Sequence, residues 1–308
     1  MSFKIRLNNV YAVDTYMFGY PHYMSAYLIK GKELALIDTG MPEHLKDVLE
    51  GIKANGFRVE DIRYVFVTHC EHPDHSGNTA SILELAPNAK VYINPVGKKN
   101  LLDPGIEHRE RMKTLPPEMW QRFVIPKPTP EEKIVLLEDG QEFDLGDGVK
   151  LKVRFTPAHQ PSGMILFDLK NNGLFASDLT GNYFADCGYH IPLHPPKSQF
   201  FIEYEYLKEL IKNPPAHMYL GHFGIMEDGP AHIQMTLDRM QWMIEQGEKC
   251  LAEGHPEKVA DVIRERNLQA AENLKKRGDQ KLYDYATKEH IPPQAQTFAD
   301  AFLHHYGR

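Results

Sequence analysis

Three histidines and two carboxylates fall within seven consecutive positions of this chain, His69-Cys70-Glu71-His72-Pro73-Asp74-His75. Imidazole nitrogen and carboxylate oxygen are the donors that hold zinc, iron and manganese in proteins. The run follows directly on the apolar stretch Tyr64-Val65-Phe66-Val67 and closes on Ser76-Gly77. Packing gives no reason to crowd such groups at the end of a strand, whereas holding a cation does. Three later segments repeat the form of a strand pattern followed by a metal-capable residue in a turn. They offer His159 in Thr156-Pro157-Ala158-His159-Gln160-Pro161-Ser162-Gly163, Asp178 after Leu174-Phe175-Ala176-Ser177, and His222 in Leu220-Gly221-His222-Phe223-Gly224. Each of these taken alone is an ordinary loop residue. Their shared form and their order behind the cluster make them a set.

The elements that must position these groups read as alternating strands and helices. Ala26-Tyr27-Leu28-Ile29 and Leu34-Ala35-Leu36-Ile37 form a hairpin that ends on Asp38-Thr39-Gly40. Leu45, Val48, Leu49 and Ile52 share one face of a helix, and Thr79 to Ala86 reads as another, stopped before Pro87-Asn88. Lys90-Val91-Tyr92-Ile93 is a further strand, and the turns Glu138-Asp139-Gly140 and Gly146-Asp147-Gly148 punctuate more. Residues 95–130 are charged and proline-bearing, and read equally as a solvated connector or a cover over the site. After Gly229-Pro230 the pattern becomes helical, with Ile233, Leu237, Met240 and Ile244 on one stripe, then Val259, Ile263, Leu268, Ala271 and Leu274, then Ala299, Phe302 and Tyr306. These apolar positions are packing surfaces. The expected organisation is a β-rich α/β domain over 1–226 and a helical C-terminal extension over 227–308 packed on or beside it.

Bulk properties exclude several classes. An apolar content of 42% and a charged content of 25% over 308 residues are those of a globular protein. The net charge of -7 argues against a nucleic-acid partner or an anionic membrane surface, which need clustered Lys and Arg. No apolar run approaches the ~18 residues of a membrane span. The amino terminus is polar where an export signal needs its apolar stretch. Cys70, Cys187 and Cys250 are too few and too scattered for a disulfide framework. A cytoplasmic location is expected.

In its ordered motifs the chain resembles the metallo-β-lactamase superfamily. That family's pattern is Asp-Thr-Gly, then Thr-His-x-His-x-Asp-His-x-Gly, a histidine in a Thr-Pro-x-His turn, a bridging aspartate and a late Gly-His. Asp38-Thr39-Gly40, Thr68 to Gly77, His159, Asp178 and Gly221-His222 take those places here. The resemblance implies an αββα four-layer sandwich with a binuclear metal site at one edge. It implies that a pair of cluster histidines and His159 hold the first metal, that Asp74, His75 and His222 hold the second, and that Asp178 bridges. Asp38 would orient a ligand histidine without binding metal. Two divalent ions, zinc first with iron or manganese as alternatives, can share a hydroxide that attacks a carbonyl or phosphoryl centre. Asp74 and Asp178 are the carboxylates such a reaction would use.

The chain departs from the motif at one point. Two residues, not one, separate His69 from His72. Either both histidines bind and a bulge absorbs the extra residue, or Cys70 replaces the first histidine, or Glu71 binds as in the His-x-Glu-x-Asp-His pattern of flavodiiron proteins. His22, Tyr189, His190 and His194 are weaker candidates for a substrate pocket. The leading expectation is a hydrolase of a small ester, thioester, lactone or phosphoester. The alternative is a non-haem diiron protein that binds or reduces oxygen or nitric oxide. A metal-containing scaffold whose tail binds a partner is a third reading, and self-association through the C-terminal helices a further expectation.

Overall fold

The computed structural model describes residues 4–114, 124–192 and 198–307. Its first sheet runs in chain order through β1 (Arg6–Leu7), β2 (Val10–Asp14), β3 (Ser25–Lys30), β4 (Leu34–Ile37), β5 (Ile62–Phe66), β6 (Lys90–Ile93) and β7 (Ile134–Leu136). β1 to β4 pair antiparallel and β4 to β7 parallel. The connections dictate the change, because antiparallel neighbours can be joined by a tight turn whereas parallel ones need a long crossover. Residues 31–33 close the β3–β4 hairpin, while α1 (Leu45–Ala54) crosses from β4 to β5 and α2 (Pro73–Ser76) with α3 (Thr79–Leu85) crosses from β5 to β6. Helices α4 (Lys98–Leu102) and α5 (Gly105–Thr114) occupy part of the proline-bearing segment before β7.

The second sheet holds β8 (Glu142–Gly146), β9 (Val149–Phe155), β10 (Met164–Asp168) and β11 (Gly173–Ser177), then β14 (His217–Leu220) and β15 (Gly224–Met226). All its pairs are antiparallel except β11 with β14. The crossover between those two contains a separate hairpin, β12 (Asn182–Phe184) with β13 (Tyr189–Ile191), and helix α6 (Phe200–Leu210).

The inner strands β3, β4, β10 and β11 are buried on both faces and read as nearly continuous apolar runs, whereas β8 and β9 near the edge of the second sheet alternate. Tyr27, Ile29, Ile37 and Phe66 of the first sheet meet Leu151, Val153, Leu166, Phe175 and Tyr219 of the second. On the other face of the first sheet, Leu28, Leu36 and Val65 pack with Val48 and Ile52 of α1 and Ile82 of α3. The outer face of the second sheet is covered by α6, by α7 (Gly229–Ala252) and by α10 (Ile291–His305), with Phe200, Ile233, Met240, Phe298 and Phe302 against Leu174, Met218 and Leu220. Each such side chain contributes roughly 1.5–3 kcal/mol on burial. The result is an αββα sandwich in which the helical C-terminal region shares one core with the second sheet. Asp228 starts α7 by accepting the Ala231 N–H at 3.0 Å, with Pro230 in the first turn as expected. Helices α8 (Val259–Ala271) and α9 (Gln280–Tyr285) complete the region; Leu274 and Leu282 pack there with Tyr23, Phe184 and Tyr189. Among the described residues no helix is long and apolar enough to cross a membrane.

Candidate metal centre

The predicted groups converge where β4, β5, β11 and β14 end and where β9 turns into β10. Asp38 follows β4 with a left-handed φ of 60°, a sparsely populated conformation for a residue with a Cβ. Its own N–H bonds to Phe66 O at 2.8 Å, and its carboxylate accepts the Thr68 N–H at 2.8 Å and the Thr68 hydroxyl at 2.9 Å. The ends of β4 and β5 are thereby tied together. Asp38 Oδ2 also takes the Nδ1–H of His75 at 2.7 Å, which leaves His75 Nε2 directed into the site. Asp74 and His75 ride on α2, started by Pro73 in its first turn.

Asp178 is placed by a local irregularity. The β11–β14 register shifts between Phe175 and Ser177, and Ser177 has φ 51°. Gly221 lets the two strand ends approach: a Cβ there would lie 2.6 Å from Asp178 Oδ1 and 2.8 Å from Ser177 O. The approach sets the two carboxylate oxygens toward different neighbours. Oδ1 is 3.2 Å from His75 Nε2 and 3.5 Å from His222 Nε2, while Oδ2 is 3.1 Å from His159 Nε2.

Three overlapping groups of donors result, two of which share Asp178. His69, His72, His159 and Asp178 bring one donor atom each within 4.8 Å of one another, and so do His75, Asp178 and His222. Asp74 forms the third group with His69 and His75, again within 4.8 Å. Three of the rings are oriented from behind: His75 by Asp38, His222 by donating to Tyr23 O at 3.1 Å, and His69 by Ser177 Oγ at 3.3 Å. All these donors are buried except His72, which is half-buried. His69 Nε2, Asp74 Oδ1, His75 Nε2, both ring nitrogens of His159 and Asp178 Oδ1 are buried without a hydrogen-bond partner. So many orphaned donor atoms pointing at one another fit a pair of metal ions, since unpaired polar atoms are costly to bury. The electrostatics agree. Burial opposes charge on His75, but the carboxylates of Asp178 and Asp38 outweigh it and hold its ring well above the usual histidine range. Burial likewise opposes charge on Asp178, yet His75, His222 and His159 hold its carboxyl well below the usual range. An environment that favours a proton on a buried imidazole favours a metal cation in that proton's place.

The structure separates the alternatives around the extra residue. The pairings Ile37↔Phe66 and Phe66↔Tyr92 run unbroken to the end of β5, so the additional residue lies in the loop beyond the strand and makes no bulge in it. Cys70 points into the core beside Val67 and Leu101. Glu71 points away from the donors and accepts hydrogen bonds from Ser162. Neither stands among the converging atoms; His69 and His72 do.

The weaker pocket candidates fare differently. His22 is exposed and stacks on Phe223, next to His222, at 4.7 Å. Tyr189 is fully buried in the core formed with α9, because its position on β13 faces inward. His190 is directed the other way, to Thr180 O at 3.2 Å beside His232, and so takes no place at the centre. His194 lies outside the described residues. Sequence reasoning missed Tyr23, Ser177 and Ser162, which act through hydrogen bonds that only the fold brings about. It also missed Glu203, fully buried with both oxygens unpartnered and held well above the usual carboxyl range by burial and then by Asp178. His290 is another: burial, then His222, lower it to about 4, so the C-terminal region reaches the neighbourhood of the centre.

An αββα sandwich with a two-part His/Asp cage at the strand ends defines a class of binuclear metalloprotein. A family model for the metallo-beta-lactamase superfamily matches residues 19–222, and the chain belongs to that superfamily. The flavo-diiron protein FprA2 of Clostridium acetobutylicum is 32% identical over 163 residues, 53% of this chain and 35% of that one. The chain spans less than two fifths of the length of the curated relatives it matches. An archaeal superfamily protein from Sulfolobus tokodaii superposes with a TM-score of 0.63 at 23% identity, over 77% of this chain and 87% of that one. A metallo-beta-lactamase family protein from Thermus thermophilus superposes with a TM-score of 0.65 at 18% identity, over 98% and 95% of the two chains. At these identities the likeness is one of fold.

Proposed function

We propose that this chain is a binuclear metal-dependent hydrolase acting on a small ester, thioester, lactone or phosphoester. The observation that carries the reading is the position of His72 among the converging donors while Glu71 is bound to Ser162. An imidazole in that place gives the first side of the cage a nitrogen-rich donor set, which suits zinc better than iron. His69, His72 and His159 would hold one ion, Asp74, His75 and His222 the other, and Asp178 both. Such a pair supplies Lewis acidity and a water acidified to near-neutral pKa. Asp38 keeps His75 in the tautomer that offers Nε2, and Tyr23 O does the same for His222. Asp74, with one buried oxygen unpartnered, is the carboxylate placed to take up a proton near the reacting atom. Burial of the other donors keeps bulk water from the centre, and half-buried His72 marks the side from which a small substrate enters. The three cysteines are free and buried, in keeping with a reducing cytoplasm.

A second reading is favoured by one finding, the similarity to a flavo-diiron protein over half of this chain. There the same cage would hold iron and bind or reduce oxygen or nitric oxide. Metal analysis of protein purified without added metal, with a panel of ester, thioester, lactone and phosphoester substrates, distinguishes the two. The hydrolase reading expects zinc and turnover of at least one bond class. Two irons with an oxygen-sensitive visible spectrum and no turnover would sink it.

A further inference from the structure

Glu71 is buried beside the donor cluster yet turned from it, and three donors converge on its carboxylate. Oε1 accepts the Ser162 N–H at 3.0 Å, and Oε2 accepts the Ser162 hydroxyl at 2.5 Å and the Cys70 N–H at 3.1 Å. Ser162 Oγ in turn accepts the Cys70 N–H at 2.9 Å. Ser162 stands three residues after His159, on the turn closed by Thr156 N–H to Gly163 O at 2.9 Å. The Met164 N–H to Thr68 O bond, 2.8 Å, joins the same two segments a few residues away. A third segment seals the junction: a Cβ on Gly97 would lie 2.7 Å from Cys70 Sγ and 3.2 Å from Ser162 Cβ.

We infer that Glu71 is a positioning residue that clamps the loop bearing His69 and His72 to the turn bearing His159. The inference rests on the metal-centre reading above. A second observation supports it independently of these bonds. His69, His75 and His222 are each oriented through Nδ1, whereas His159 Nδ1 has no hydrogen-bond partner and its Nε2 meets only the Asp178 carboxylate inside the centre. The place of His159 is therefore set by its backbone turn, and the clamp holds that turn. A carboxylate suits the task because it is acceptor-only and can take several donors at once. The two residues between His69 and His72 divide the work: Cys70 anchors the loop in the core, Glu71 ties it to Ser162, and both histidines face the centre.

Stepwise zinc affinities of the full chain, measured by chelator competition, test the clamp together with the visible spectrum of the cobalt-loaded protein. Glu71→Ala should weaken the ion on the His69/His72/His159 side about 10–100-fold and leave the other unchanged. Glu71→Gln keeps an acceptor for the Ser162 N–H and should recover part of the loss. Ser162→Ala should act in the same direction, and the double variant should be no worse than Glu71→Ala alone, since the two share one interaction. Unchanged affinity in Glu71→Ala would overturn the inference. So would complete loss of that ion in Glu71→Ala while His72→Ala retains it, because Glu71 would then be a ligand. Amide hydrogen exchange decides the matter even if the wild-type chain takes up no metal, an outcome that counts against the metal-centre reading alone. Loss of protection at Cys70 and Ser162 in the glutamate variants supports the clamp, and unaltered protection refutes it.

Discussion

The two sides of the cage are built differently. On the side of His75 and His222, to which we assign Asp74, two donors ride on the short helix α2 and both rings are fixed from behind, by the Asp38 carboxylate and the Tyr23 carbonyl. On the side of His69, His72 and His159, the donors come from irregular loops. His72 is the least buried of the set there, and His159 has no partner on Nδ1, the nitrogen turned from Asp178. One side has both its rings fixed from behind, whereas on the other Ser177 orients His69 and the turn that carries His159 is fastened to the neighbouring loop. With Asp178 in the bridging role we propose, one carboxylate would join a site of preoriented rings to one held by its loops. The first should fill with metal before the second and bind it more tightly, since preoriented ligands lose less freedom on binding.

The largest effect should come from removing what the two sides share. Asp178→Ala takes an oxygen from both and should abolish binuclear loading in metal analysis. Full metal content in that variant would break the bridging assignment. Phe298→Ala, in the outer helical layer and not among the converging donors, should cost about 3–5 kcal/mol in denaturant unfolding. The ratio of the two metal affinities should stay as it is, and a changed ratio would mean that the layer helps shape the cage. Asp38→Ala should weaken the His75/His222 side about 10–100-fold and spare the other, the mirror image of the glutamate clamp. Equal losses on both sides would erase the contrast.

The smallest effect concerns the support behind Asp178. His190 and His232 meet at Thr180, and burial, the largest cause for each, lowers them to about 4 and about 3 from an ordinary 6.5. Above pH 6.5 both are neutral folded or unfolded, so they leave stability at its full value. As the pH falls below 6.5 the unfolded chain takes up protons that the folded chain refuses until about pH 4 or lower. Stability is then lost at about 1.4 kcal/mol per pH unit for each histidine. His232→Gln should remove one proton's worth of that slope in urea titrations between pH 7 and pH 5.

Much of the centre was legible because its donors are chemically unusual for their positions. A carboxylate or imidazole in a turn just beyond a strand has no evident packing role, and His159, Asp178 and His222 each stood in that setting. The sandwich was legible for a related reason: strands buried on both faces leave unbroken apolar runs, and the helical stripe of Ile233, Leu237 and Met240 announced a covered face. Tyr189 and His190 misled because they sit beside Asp178 in sequence, whereas the β12–β13 hairpin turns one into the core and the other toward Thr180. Ser162, Tyr23 and Ser177 had no signal at all. A serine, a tyrosine carbonyl and a hydroxyl at a register shift look like any others until the strand ends are brought together.

Residue chemistry and spacing along the chain were enough to determine that this protein has a His/Asp metal-capable edge on an α/β sandwich, because donor type and burial pattern are properties of the chain itself. Which of His69, Cys70, Glu71 and His72 face that edge was decided only by the tertiary structure. The four are neighbours on one loop, and their directions depend on contacts with Leu101 and Ser162, neither of which the loop's own sequence contains. Where a side chain points is settled by what waits for it in space, and for Glu71 that was a serine 91 residues away.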